Sequence, residues 1–225
     1  MTETVLILGG TREAATLARR LVDAHPDWRV VTSLAGRTAE PAPVAGEIRT
    51  GGFGGIAGLA DFLRRERITR MIDATHPYAR QISANAAEAA ALAGVKLDVH
   101  TRPPWDRQPG DDWREVASEA DAAAAIPPGA RVFLALGSQH LAPFEARRDV
   151  HFIVRMIDPP ASPLPLASHT IVTGKPGPAA EEERVLRDRA ITCIVCRNSG
   201  GDGAYGKIEA ARTIGIPVIM IARPA

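Results

Sequence analysis

Val5-Leu6-Ile7-Leu8-Gly9-Gly10-Thr11-Arg12-Glu13-Ala14 runs from an apolar, β-branched stretch into paired glycines. A helical pattern follows at once, with Ala14, Leu17, Ala18, Leu21 and Val22 at three- and four-residue steps. The order strand, tight turn, helix reads either as a phosphate-holding arrangement or as a plain strand-to-helix turn with no ligand. Glycine lets a ligand approach the main chain, and a helix start offers unpaired N–H groups and a positive dipole end. Set against the dinucleotide fingerprint G-x-G-x-x-G/A, Gly9 and Ala14 fit, while Thr11 takes the place of the second key glycine. The stretch is a variant fingerprint, and Gly9, Gly10, Thr11, Arg12 and Glu13 are its candidate cofactor contacts.

A second strand spans Trp28 to Leu34. NAD-binding folds place an acid near this strand end, about 20 residues after the glycines, to hold the ribose 2′-hydroxyl. Here the residues are Thr32, Ser33, Gly36, Arg37 and Thr38, with no acid. Hydroxyls and a guanidinium suit a 2′-phosphate, so Ser33 and Arg37 point to NADP over NAD. The glycine cluster Gly51-Gly52-Phe53-Gly54-Gly55, ahead of a helix carrying Ile56, Leu59, Ala60 and Leu63, is a second candidate ligand loop, with Gly52 as its contact. The strand Arg70 to Thr75 ends in His76-Pro77-Tyr78-Ala79. Ligands of open α/β sheets sit outside the carboxyl ends of strands. Thr75 is therefore a cofactor candidate, His76 and Tyr78 are candidates for hydrogen bonding or proton donation, and Arg80 stands ready for an anion. The same turn also reads as a simple cap on the helix from Ala79 to Ala93.

The elements that position these groups alternate strand and helix along the whole chain. After the strand Val95 to Val99, a stretch rich in proline and charge from Arg102 to Asp112 reads as a boundary, with Arg102 and Trp105 beside it. Residues 1–113 form the expected dinucleotide-binding domain and residues 114–225 a second domain of the same plan. Its expected strands are Arg131 to Leu136, Phe152 to Ile157, Ile171 to Thr173, Ile191 to Cys196 and Pro217 to Ile221. The run Glu181-Glu182-Glu183 in a helix from Ala179 to Arg189 reads as a solvated face. Cys193 and Cys196 have C-x-x-C spacing, but on a strand that spacing points them to opposite faces. They read as reduced core thiols, and no second Cys or His cluster completes a zinc site.

The 225 residues carry 45% hydrophobic and 24% charged residues, ordinary for a globular protein. A net charge of +1 gives no reason to invoke nucleic acid or a membrane surface. No window holds the apolar run of a membrane span, and the opening lacks the layout of a signal peptide. The expected location is the cytoplasm.

Five motifs occur in order: Leu8-Gly9-Gly10-Thr11-Arg12-Glu13, Asp73-Ala74-Thr75-His76-Pro77-Tyr78-Ala79, Arg102-Pro103-Pro104-Trp105, Asn198-Ser199-Gly200-Gly201 with Lys207-Ile208, and Gly215-Ile216-Pro217-Val218 with Arg223-Pro224. Together they resemble the precorrin-6A reductase family of cobalamin biosynthesis, called CobK in the aerobic route and CbiJ in the cobalt-early route. The resemblance implies an α/β protein of two Rossmann-like domains with mainly parallel sheets and an active-site cleft between the domains. It implies NADPH-dependent reduction of a macrocycle double bond in precorrin-6A to give precorrin-6B, with hydride passing to a ring carbon and a proton to its neighbour. It places Gly9 to Glu13 against the cofactor, Thr75, His76 and Tyr78 on the cleft, and Asn198, Ser199, Gly200 and Gly201 across from them. Arg80, Arg102 and Lys207 join the substrate-binding candidates, and with Arg107 and Arg197 they supply local positive charge for a carboxylate-rich macrocycle.

Two positions depart from the family pattern: Arg197 stands where a lysine is usual, and Ala179 where a phenylalanine is common. The alternatives are the cobalt-containing substrate with NADH, against which Arg37 and the missing acid argue, and a non-catalytic dinucleotide sensor. A short-chain reductase is unsupported, because Tyr78 has Ile82 and no lysine four residues on. The expected partner is a small tetrapyrrole, passed from or to neighbouring pathway enzymes, with no resident metal.

Overall fold

The computed structural model describes residues 2–36 and 43–223. The chain divides into two compact units between Arg102 and Pro103.

In the first unit, β1 (Thr4–Leu8), β2 (Arg29–Leu34), β3 (Glu47–Thr50), β4 (Arg70–Asp73) and β5 (Lys96–Val99) form one parallel sheet in the order β3-β2-β1-β4-β5. The central strands are apolar on both faces because helices cover both. Val5, Ile7 and Val30 pack with Ala14 and Ala18 of α1 (Arg12–Ala24). Leu6, Leu8 and Val31 face the opposite way, against α2 (Gly55–Arg65) and α3 (Arg80–Ala93). The alternation along β1 thus decides which helix each side chain meets.

The second unit repeats the plan with six parallel strands: β6 (Trp113–Val116), β7 (Arg131–Ala135), β8 (His151–Met156), β9 (His169–Thr173), β10 (Cys193–Arg197) and β11 (Val218–Ile221), in the order β6-β11-β10-β7-β8-β9. Its helices are α4 (Glu119–Ala125), α5 (Ala179–Asp188) and α6 (Gly206–Ile214). Cys196 lies in the core beneath α5 and α6, and both cysteines are buried and free. Burial pushes the Cys193 thiol up to about 11.

Residues 103–112 pack with the second unit, ahead of the boundary expected at 113. Trp105 and Trp113 belong to that unit's core, and Trp113 pairs in register with Val218. One expectation is corrected. Glu182 is not on a solvated face. Its side chain is 3% exposed and forms an ion pair with Arg155 at 3.0 Å, and it accepts the Gly177 N–H at 2.8 Å.

Candidate functional site

The carboxyl edge of the first sheet is aligned by strand register. Leu8 stands beside Ser33 on one side and Asp73 on the other, and Ser33 stands beside Arg49. Of the cofactor candidates within the described residues, Gly9, Gly10, Thr11, Gly52 and Thr75 lie on the loops that leave these strands, Ser33 near the end of β2, and Arg12 and Glu13 in the first turn of α1.

At the first turn, a Cβ on Gly9 would lie 2.8 Å from Thr32 Cγ2, so strand packing leaves room for glycine alone. Gly10 has φ +106°, and nothing stands within 4 Å of where its Cβ would be. The main chain there is open to a ligand. Thr11 caps α1: its hydroxyl accepts from Ala14 N at 3.1 Å and donates to the Ala74 carbonyl at 3.0 Å. A third glycine could make neither bond, which is the physical reason for the variant fingerprint. Arg12 is exposed. Glu13 pairs with Arg102 at 2.5 Å.

Ser33 is buried, and its Oγ receives Arg49 Nη1 at 3.3 Å. Arg37 lies outside the described residues. Gly52 is exposed, and its carbonyl accepts from Arg49 Nη2 at 2.7 Å. Thr75 donates from both N and Oγ1 to Asp73 Oδ1, at 3.0 and 2.7 Å. The buried Asp73 carboxylate therefore shapes the turn that presents His76 and Tyr78. These two are half-buried, with ring centroids 5.6 Å apart. The Tyr78 N–H points to His76 Nδ1 at 3.3 Å. Arg80 is exposed at the first residue of α3.

In the second unit the 198–201 loop is fastened from several directions. Asn198 is 7% exposed; its Oδ1 accepts the Trp105 N–H at 2.7 Å and its Nδ2 donates to the Trp105 carbonyl at 3.0 Å. The Trp105 indole N–H reaches the Gly201 carbonyl at 2.7 Å. Arg223 donates to the carbonyls of Asn198 and Ser199, both at 2.9 Å. Gly200, at φ +67°, has no room for a Cβ, which would lie 2.1 Å from the Pro103 carbonyl oxygen. Lys207 is 6% exposed. Its ammonium donates to the Ala204 carbonyl at 2.6 Å and sits 4.8 Å from the Trp105 ring centroid. Burial pulls its pKa down, partly offset by Cys196 and Glu182.

The positive charge expected around a carboxylate-rich ligand is largely spent. Arg102 is paired with Glu13, and Arg197 with Glu119, which His140 also approaches at 3.6 Å. Burial raises the Glu119 carboxyl, but Arg197, its own backbone N–H and His140 together hold it below its usual value. Lys207 is enclosed. Arg80 and Arg107 remain exposed, Arg107 donating to the Asp111 carbonyl at 2.9 Å.

Sequence reasoning passed over Asp73, Arg49 and Trp105's bond to Asn198. The acid closing β4 and the cation just before Gly51-Gly52 were readable signals. The Trp105–Asn198 bond joins residues 93 apart in the chain and carried none. Among the described residues no group of three or more His, Cys, Asp or Glu side chains could hold a metal ion, and no helix is long and apolar enough to cross a membrane.

Comparison with known proteins agrees in sequence and in shape. The model of the precorrin-6x reductase CbiJ/CobK family matches residues 4–225. Precorrin-6A reductase of Rhodobacter capsulatus is 47% identical over 223 residues, covering 98% of this chain and 88% of that protein. Cobalt-precorrin-6A reductase of Salmonella typhimurium is 27% identical over 232 residues, covering 98% and 87%. A solved structure described as CobK precorrin-6A reductase superposes with a TM-score of 0.93 at 47% identity, over 100% of this chain and 89% of its own.

Proposed function

The chain belongs to the precorrin-6x reductase CbiJ/CobK family, and we infer that it works as a precorrin-6A reductase of cobalamin biosynthesis in which NADPH supplies the hydride. The observation that carries the metal-free substrate is the gap in identity, 47% to a precorrin-6A reductase against 27% to a cobalt-precorrin-6A reductase. The preference for NADPH over NADH rests on the sequence from Ser33 to Thr38, which holds Ser33 and Arg37 and no acid.

A reductase of this family implies a nicotinamide dinucleotide, and the residues present fit one. The open backbone at Gly10 and the α1 start admit a pyrophosphate, with Thr11, Arg12 and Glu13 around it. Ser33 and Arg37 meet the adenosine ribose phosphate, and Gly52 and Thr75 line the same sheet edge. When bound, the reduced nicotinamide supplies the hydride that goes to a macrocycle carbon. His76 and Tyr78 stand at the reacting end, where either holds a proton for the neighbouring carbon. Arg80 is the exposed cation that suits the substrate's carboxylates, while Arg102, Ser199, Gly200 and Gly201 are substrate candidates from the family motifs. Asn198 and Lys207 serve it from behind, by holding Trp105 and the loop. Precorrin-6A is a small water-soluble tetrapyrrole, which suits a cytoplasmic enzyme that exchanges it with neighbouring pathway enzymes.

The test is anaerobic oxidation of NADPH on addition of precorrin-6A, with NADH and cobalt-precorrin-6A in parallel. Substrate-dependent oxidation favouring NADPH and the metal-free macrocycle is the expected result. Oxidation only with the cobalt substrate would reverse the substrate reading, and nucleotide binding without turnover would favour a sensor.

A further inference from the structure

We propose that Arg49 is a second recognition group for the 2′-phosphate, acting beside Ser33; this rests on the NADPH reading above. Arg49 lies on β3, in register with Ser33, at the carboxyl edge of the sheet. Its guanidinium is held in one pose by neutral partners alone. Nη1 donates to the Gly51 carbonyl at 2.5 Å and to Ser33 Oγ at 3.3 Å, and Nη2 to the Gly52 carbonyl at 2.7 Å. The plane lies over the Phe53 ring, 3.8 Å from its centroid.

No carboxylate pairs with Arg49 among the described residues. The contrast with its neighbours in the same sheet is direct. Arg29 of β2 pairs with Glu47 and Glu66, and Arg70 of β4 pairs with Asp98. Burial, with the nearby charge of Arg65, makes Arg49's own charge harder to keep. A partly buried cation near a second cation, with no anion to answer it among the described residues, is an arrangement an incoming anion stabilises.

A guanidinium has five N–H donors. Three acceptors take up part of that fork, and its remaining N–H groups are unspent. The fork matches a phosphate's oxygens in paired geometry. The phosphate nearest this position in a bound dinucleotide is the one on the adenosine ribose, because the ribose lies over the end of β2. The stacking on Phe53 and the carbonyl bonds mean that little side-chain freedom is lost when the phosphate arrives.

The test compares adenosine 2′,5′-bisphosphate with 5′-AMP, which differ only in the 2′-phosphate, by calorimetry on the full chain. Arg49→Gln is expected to weaken the bisphosphate by about 10- to 100-fold, the range for lost hydrogen bonds to a charged group. Binding of 5′-AMP should change little, and Arg49→Lys, which keeps charge but not the fork, should recover part of the loss. Equal loss for both nucleotides would make Arg49 a staple for the glycine loop and overturn the proposal, as would no loss at all. A wild-type chain that does not distinguish the two nucleotides would instead bring down the NADPH reading, and this proposal with it.

Discussion

Asn198→Ala separates a clamp from a substrate contact. The substitution removes the acceptor for the Trp105 N–H at 2.7 Å and the donor to its carbonyl at 3.0 Å. Asn198 and Trp105 are 7% and 9% exposed, so water does not easily replace the lost partners. Leaving a buried polar group unmatched costs about 1–3 kcal/mol, and two such groups cost about 2–6 kcal/mol. With a urea slope of about 2 kcal/mol per molar, the unfolding midpoint of the second unit should fall by roughly 1–3 M. Tryptophan fluorescence reads it directly, because Trp105 and Trp113 lie in that unit's core. Turnover should fall as well, since the Gly201 carbonyl loses its fixed distance from the Trp105 indole. An unchanged midpoint with lost turnover would refute the reasoning, because the amide would then be free to serve the substrate and not the fold.

Three further outcomes are expected elsewhere in the chain. Glu182→Leu should cost about 3–5 kcal/mol in urea unfolding, because it strands Arg155, whose side chain is 10% exposed; the double change Glu182→Leu with Arg155→Met should recover most of it, and a lossless single change would show the pair to be dispensable. Asp149, held down to about 2 from 3.8 by its bond to Arg147, has a depressed folded-state pKa, so its contribution is present above about pH 4 and lost as pH falls towards 2. Thermal melts across that window should fall more steeply for wild type than for Asp149→Asn, and parallel curves would remove the pair from the acid response. Arg37→Ala should weaken NADPH far more than NADH in direct binding, and equal loss would end its assignment to the 2′-phosphate.

Much of the architecture could be read along the chain. Strand, glycine turn and helix at residues 4–24 stand as the spacing predicts, and Cys196 takes its place under α5 and α6. β6 was hidden because it has four residues, two of them Arg114 and Glu115, and holds the sheet edge. An edge strand with an exposed side shows little apolar pattern. Glu182 was hidden for a different reason: the partner that makes its burial affordable, Arg155, lies 27 residues away on β8. The candidate site divides the same way. Its glycines and strand-end hydroxyls announce themselves by type. The state of its cations does not, because whether Arg102, Arg197 or Lys207 is free depends on Glu13, Glu119 and the enclosure beneath Trp105.

The central claim is that hydride leaves a reduced nicotinamide and lands on a carbon of precorrin-6A. The most direct measurement is single-turnover reduction with NADPH carrying deuterium at the transferred position, followed by mass spectrometry of the macrocycle. The account predicts one deuterium bound to carbon in the dihydro product and none in unreacted substrate. A dihydro product free of label, or label lost to solvent while NADPH is consumed, would contradict it.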